Sequence, residues 1–108
     1  MLRIYHNPRC SKSRAALARL QEAGLEPEII KYLETPPHRS QLEAIIAKLD
    51  GPASALLRDT PDVKNMNDDA VITAILTEPK LLQRPIVEDD TRAVVGRPTE
   101  RIEVFITP

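Results

Sequence analysis

Residues 2–32 run strand, helix, strand, and that order restricts the chain to folds built on a parallel strand pair. Leu2-Arg3-Ile4-Tyr5 alternates and is β-prone. Ala15-Ala16-Leu17-Ala18-Arg19-Leu20 is strongly helical and leads to Gly24, a helix stop. Pro27-Glu28-Ile29-Ile30-Lys31-Tyr32 then supplies a second strand, opened by its proline. Two strands joined through one helix pair in parallel with a right-handed crossover.

Cys10 falls where the first strand hands over to the first helix, within His6-Asn7-Pro8-Arg9-Cys10-Ser11-Lys12-Ser13-Arg14. The unpaired N–H groups of a first helical turn carry roughly half a positive charge in aggregate. Arg9, Lys12 and Arg14 add full charges, and both effects favour the thiolate over the thiol. Ser11 and Ser13 suit caps of the helix better than reactive groups. Cys10 is the only cysteine of 108 residues, so no internal disulfide framework exists, as expected of a reducing compartment. A net charge of -1 recommends no nucleic-acid partner. No apolar run approaches the ~20 residues of a membrane span, and no signal-peptide pattern precedes the first strand. The expectation is a soluble, cytoplasmic protein of one domain over residues 1–108, with no membrane partner.

The remaining elements follow from spacing and breakers. Thr35-Pro36-Pro37 interrupts the chain, Ser40-Gln41-Leu42-Glu43 fits a capping box, and Leu42, Ile45, Ile46 and Leu49 then recur at helical spacing up to Gly51-Pro52. Residues 53–58 suit one short helical turn, and the polar stretch 59–67 suits a surface loop. Val71, Ile72, Ile75 and Leu76 mark a helix started near Asp68 and stopped before Pro79. Pro85-Ile86-Val87 and Arg92-Ala93-Val94-Val95-Gly96 form a hairpin with residues 88–91 at its turn. The end fits a strand (Ile102, Val104, Ile106) or a helix (Ile102, Phe105, Ile106), and Pro98 at a first helical position favours the helix. The sum resembles a thioredoxin- or glutaredoxin-like α/β fold, a small mixed sheet flanked by helices.

Five blocks sharpen that resemblance: the Cys10 block, Tyr32-Leu33-Glu34-Thr35-Pro36, Leu56-Leu57-Arg58, Arg84-Pro85-Ile86-Val87 and Gly96-Arg97-Pro98. Together, and in this order, they resemble the glutaredoxin-dependent arsenate reductase family over nearly the whole chain. The resemblance implies that Cys10 is the nucleophile and that Arg58, Arg84 and Arg97 bind the oxyanion. It matches His6 to a histidine associated with thiol activation, and Pro85 to a proline that commonly follows a cis peptide bond. It further implies arsenate as substrate, glutathione as co-substrate, glutaredoxin as partner, and no bound cofactor or metal. Members usually carry a longer stretch between the Arg58 and Arg84 blocks, so residues 59–83 are several residues short.

The residue types fit that chemistry on their own terms. A thiolate attacking an oxyanion approaches like charge, so fixed cations and aligned donors must make the encounter favourable. Ten of the fifteen cations are arginine, whose fork grips an oxyanion through two donors. Arg84 and Arg97 flank the expected hairpin and each precedes a proline, so they can share one end of the sheet. Arg58 rests on the resemblance alone. His6 has two readings, a backbone hydrogen bond or an electrostatic role. Other functions remain open at this point. A glutathione-linked redox protein would use the same thiol, with the arginines holding carboxylates. A thioredoxin-like transcriptional regulator would need a C-x-x-C switch, and Ser13 removes its second thiol.

Overall fold

The computed structural model describes residues 1–58 and 66–106, so residues 59–65 of the loop expected over 59–67 lie outside the described residues. Strand β1 (Arg3–His6), helix α1 (Ser11–Glu22) and strand β2 (Glu28–Lys31) form the opening unit. β1 and β2 pair in parallel from Arg3↔Glu28 to His6↔Lys31. Helix α1 stops as the glycine predicted. Gly24 sits at φ +84°, its N–H bonds the Gln21 carbonyl at 3.0 Å, and the Leu25 N–H bonds the Leu20 carbonyl at 3.0 Å. Glycine adopts that backbone without a Cβ penalty.

Helix α2 spans Arg39–Lys48 and helix α3 spans Asp68–Thr77. The capping box expected at Ser40 is displaced. The helix starts two residues upstream, and Gln41 Oε1 accepts the His38 N–H at 2.7 Å. His38 is the first residue past Pro36-Pro37 with an N–H to satisfy, which is why it takes the cap. The helix also ends before Gly51, because Leu49 turns extended and bridges Ala93. At α3, Asn67 Oδ1 accepts the Ala70 N–H at 2.8 Å, and Asp68 and Asp69 complement the first turn.

Strands β3 (Ile86–Glu88) and β4 (Ala93–Val95) form the hairpin, with Ile86↔Val95 and Glu88↔Ala93 paired. Glu88 therefore ends a strand rather than opening the turn. It is 4% exposed, and its carboxylate meets Arg3 at 3.0 Å and Lys48 at 3.6 Å. A carboxylate at that depth needs cationic partners. Asp89 makes the turn instead, its Oδ1 accepting the N–H groups of Thr91 and Arg92 at 2.8 Å each. The chain closes in a 3-10 helix (Thr99–Phe105) that buries Ile102, with Pro98 as its cap rather than its first residue.

The four strands lie in the order β2-β1-β3-β4, with β3 antiparallel to both neighbours. Alternation along each strand feeds a core on either face. Ile4 and Val87 pack with Ala16, Leu20 and Ile102 on one side. On the other, Tyr5, Ile86 and Val95 pack with Leu42, Ile45, Val71 and Ile75. This is the mixed sheet between helices that the sequence led us to expect. Among the described residues, no helix is long and apolar enough to cross a membrane.

Candidate active site

The site is built where β1 ends. Asn7, Pro8, Arg9 and Cys10 make a tight turn closed by the Cys10 N–H on the Asn7 carbonyl at 3.0 Å. Asn7 Oδ1 stiffens it by accepting the Arg9 N–H at 3.0 Å. Ser13, fully buried in the first turn of α1, ties this turn to the helix. Its hydroxyl accepts the Asn7 N–H at 3.0 Å and lies 2.6 Å from His6 Nδ1. Accepting from Asn7 leaves Ser13 its own proton to donate to His6, the arrangement that suits a neutral imidazole. Burial holds the His6 pKa below its ordinary value, aided by Lys31 and Arg14. The ring is thus neutral at pH 7 and acts on the Cys10 turn through Ser13.

Cys10 caps α1 with extended backbone and is partly exposed. Burial pushes its thiol pKa up, but the N–H of Ser13, the Arg84 guanidinium and the N–H of Lys12 together outweigh it, so the net direction is down. The helix N-terminus and one arginine therefore share the task of holding the thiolate.

Arg84 reaches this position through the hairpin. Beyond the Ile86↔Val95 pair, the Gly96 N–H bonds the Pro85 carbonyl at 2.9 Å, and Arg97 Nη1 donates to the Arg84 carbonyl at 3.2 Å. Both Arg84-Pro85 and Arg97-Pro98 are cis peptide bonds. Gly96 is required by crowding: a Cβ there would sit 2.9 Å from Pro85 Cγ and 3.1 Å from Ile102 Cγ2. Arg58 arrives from a third segment. Its N–H bonds the Leu81 carbonyl at 2.8 Å, next to a bridge between Leu57 and Leu82.

Arg58, Arg84 and Arg97 line one cleft of about 320 Å³ together with Lys80, Leu81 and Gln83. Among the described residues, none of the three arginines is paired with a carboxylate. Among the described residues, Arg84 Nε is buried without a hydrogen-bond partner, a costly state for a charged donor unless a ligand supplies the acceptor. Arg84 also links the two halves of the site, since it lines the cleft and acts on Cys10. The arrangement can hold a small oxyanion beside an anionic sulfur. Among the described residues, no cluster of His, Cys, Asp or Glu could hold a metal ion.

Of the residues singled out from sequence, the structure brings Cys10, Arg84, Arg97 and Arg58 into one region and sets His6 behind them. Sequence reasoning missed three neighbours. Lys80 and Gln83 carried no local signal, because a 3-10 turn (Pro79–Leu81) and the Leu57–Leu82 bridge place them. Tyr32 was visible within its block but had no role. It is buried at 1% exposure; burial raises its pKa, against the lowering influence of Arg84, Asn7 and Arg58. Its hydroxyl therefore stays protonated and faces the same cations.

Comparison with known proteins identifies the family. The ArsC family model matches residues 5–105. The chain is 47% identical to an arsenate reductase of Neisseria meningitidis serogroup A, over 97% of each protein. That alignment runs over 115 positions, so the relative carries residues that this 108-residue chain lacks. It is also 41% identical to the uncharacterized protein YfgD of Escherichia coli K12, over 94% of this chain and 92% of YfgD. The solved structure of an arsenate reductase from Vibrio cholerae superposes with a TM-score of 0.84 at 38% identity, covering 98% of this chain and 97% of that one. The fold is thioredoxin-like, and the chain belongs to the ArsC family.

Proposed function

We propose that the protein is an arsenate reductase that draws its electrons from glutathione and glutaredoxin. The observation that carries this reading is Arg84, which lowers the Cys10 pKa, lines the cleft and, among the described residues, has a buried Nε without a partner. Arg58, Arg84 and Arg97 hold three arsenate oxygens. The Cys10 thiolate attacks arsenic, a sulfur–arsenic bond forms, and the fourth oxygen leaves as water after taking protons from solvent. A glutathione thiolate then bonds to arsenic as a second oxygen leaves as water. A glutaredoxin thiolate attacks that glutathione sulfur, and the glutathione sulfur–arsenic bond breaks with its electron pair left on arsenic. Water hydrolyses the remaining Cys10–arsenic bond to return the thiolate. Arsenic gains two electrons and leaves as arsenite, while two thiols become one disulfide. His6 keeps the Cys10 turn in place as a neutral ring.

The names of the relatives support the arsenate step. The absence of a second cysteine supports resolving thiols that come from outside. Such thiol chemistry belongs in a reducing compartment, the cytoplasm. The test is arsenate-dependent NADPH consumption with glutathione, glutaredoxin and glutathione reductase, run beside Cys10→Ser. Turnover that vanishes in the variant is the expected result. No turnover from folded protein in a verified coupling system would overturn the reading.

A further inference from the structure

The arginine cleft is larger than one oxyanion requires. Its volume of about 320 Å³ matches roughly ten waters at ~30 Å³ each, whereas arsenate has five heavy atoms. Arg58, Arg84 and Arg97 carry three positive charges, which a Cys10 thiolate and an oxyanion dianion together balance. Lys80 lines the same cleft, held by its ion pair with Glu78, and Gln83 adds an amide. Lys80 Nζ rests 3.0 Å from Glu78 Oε1, with the two side chains 68% and 47% exposed. An ion pair that open to water contributes only ~0–1 kcal/mol. A carboxylate entering the cleft can therefore replace Glu78 at little cost.

We propose that Lys80 and Gln83 form a subsite for a carboxylate of an anionic, low-molecular-weight thiol. The subsite rests on the reductase reading above, because it would receive that reaction's co-substrate. Any such thiol must bring its sulfur to Cys10 or to an atom bonded to Cys10. Arg84 is where the cleft meets Cys10. A molecule anchored by its carboxylate at Lys80 shares the cleft with Arg84, the one lining residue that also acts on Cys10.

Thiol–disulfide exchange tests this without arsenate. The Cys10 thiolate attacks one sulfur of oxidised glutathione, the disulfide bond breaks, and one glutathione thiolate leaves. Cys10 is oxidised to a mixed disulfide, and the mass gain of the intact protein gives the rate. Hydroxyethyl disulfide, which lacks carboxylates, is the reference, at ~0.15 M salt where screening sets in beyond ~8 Å. The ratio of the two rates should fall about tenfold in Lys80→Glu and recover in Lys80→Arg. Arg39→Glu makes a like charge change on helix α2, outside the cleft, and should lower the ratio much less. An unchanged ratio in Lys80→Glu, an equal fall in Arg39→Glu, or no reaction with either disulfide overturns the subsite. Arsenate turnover is read separately. Its absence alongside Lys80-dependent exchange would sink the arsenate reading and leave the subsite standing.

Discussion

Arg97 donates from Nη1 to the Arg84 carbonyl at 3.2 Å, so one guanidinium steadies the backbone that carries the other. The two arginines stand opposite each other beyond the paired end of the hairpin. That bond uses one of the five donors of Arg97 and leaves the remainder for the cleft. A lysine keeps the charge but cannot bond the Arg84 carbonyl and an oxyanion in the same geometry. Arg97→Lys should raise the arsenate KM about tenfold, the cost of one charge-assisted hydrogen bond at ~1.5–3 kcal/mol. Steady-state kinetics check it, and an unchanged KM would mean that Arg97 supplies charge alone.

Alkylation by iodoacetamide across pH reads the Cys10 thiol directly. Its midpoint should lie below the ~8.5 of a free cysteine, since the Ser13 and Lys12 N–H groups and Arg84 outweigh burial. Arg84→Ala should move the midpoint upward. A variant with the wild-type midpoint would remove Arg84 from the thiolate's support.

Ser13→Ala leaves the Asn7 N–H and His6 Nδ1 without their shared partner. A buried group left unsatisfied costs ~1–3 kcal/mol, so urea unfolding should show that loss at an unchanged slope. The Cys10 turn would loosen with it, slowing alkylation. Unaltered stability would show that water replaces the hydroxyl.

Because burial depresses the His6 pKa in the folded chain, the unfolded chain binds the proton first. The stability that comes from a neutral His6 is complete above the unfolded value of ~6.5 and is lost as pH falls through the folded pKa. The urea midpoint should drop on acidification below that point, with a shallower dependence in His6→Gln. Asp89 and Glu103, both held below their ordinary values, add their losses at lower pH. Identical pH profiles for wild type and variant would refute the assignment.

Gly96→Ala forces a methyl group to within 2.9 Å of the Pro85 ring and 3.1 Å of Ile102. Overpacking of this kind costs ~1–3 kcal/mol, visible as a lower urea midpoint. The strain falls between the two Arg-Pro pairs, so the arsenate KM should rise as well. A variant as stable as wild type would mean that the Pro85 ring can shift aside.

The parts legible in sequence are those fixed by local chemistry. Gly24 ended α1 as expected, the β-α-β order gave the parallel pair, and the Arg-Pro dipeptides foretold two cations at one sheet end. What escaped depends on distant contacts. Glu88 looked like a turn residue because its partners Arg3 and Lys48 are remote in sequence. The α2 cap moved to His38 because two prolines withheld their N–H groups upstream. Lys80 and Gln83 became cleft residues only through the bridge between Leu57 and Leu82, a pairing with no pattern of its own.

Cys10 and Arg84 are far apart in the chain and meet only when the sheet is complete. The sulfur therefore works as a gauge of native assembly. In most proteins, denaturant uncovers a sheltered thiol and labelling accelerates. Here, near neutral pH, unfolding would strip away the helix N–H groups and the guanidinium together, and the partly exposed sulfur would revert to an ordinary, mostly protonated cysteine. Labelling should slow as the chain melts, so a single chemical handle separates intact molecules from damaged ones by being quicker in the intact form.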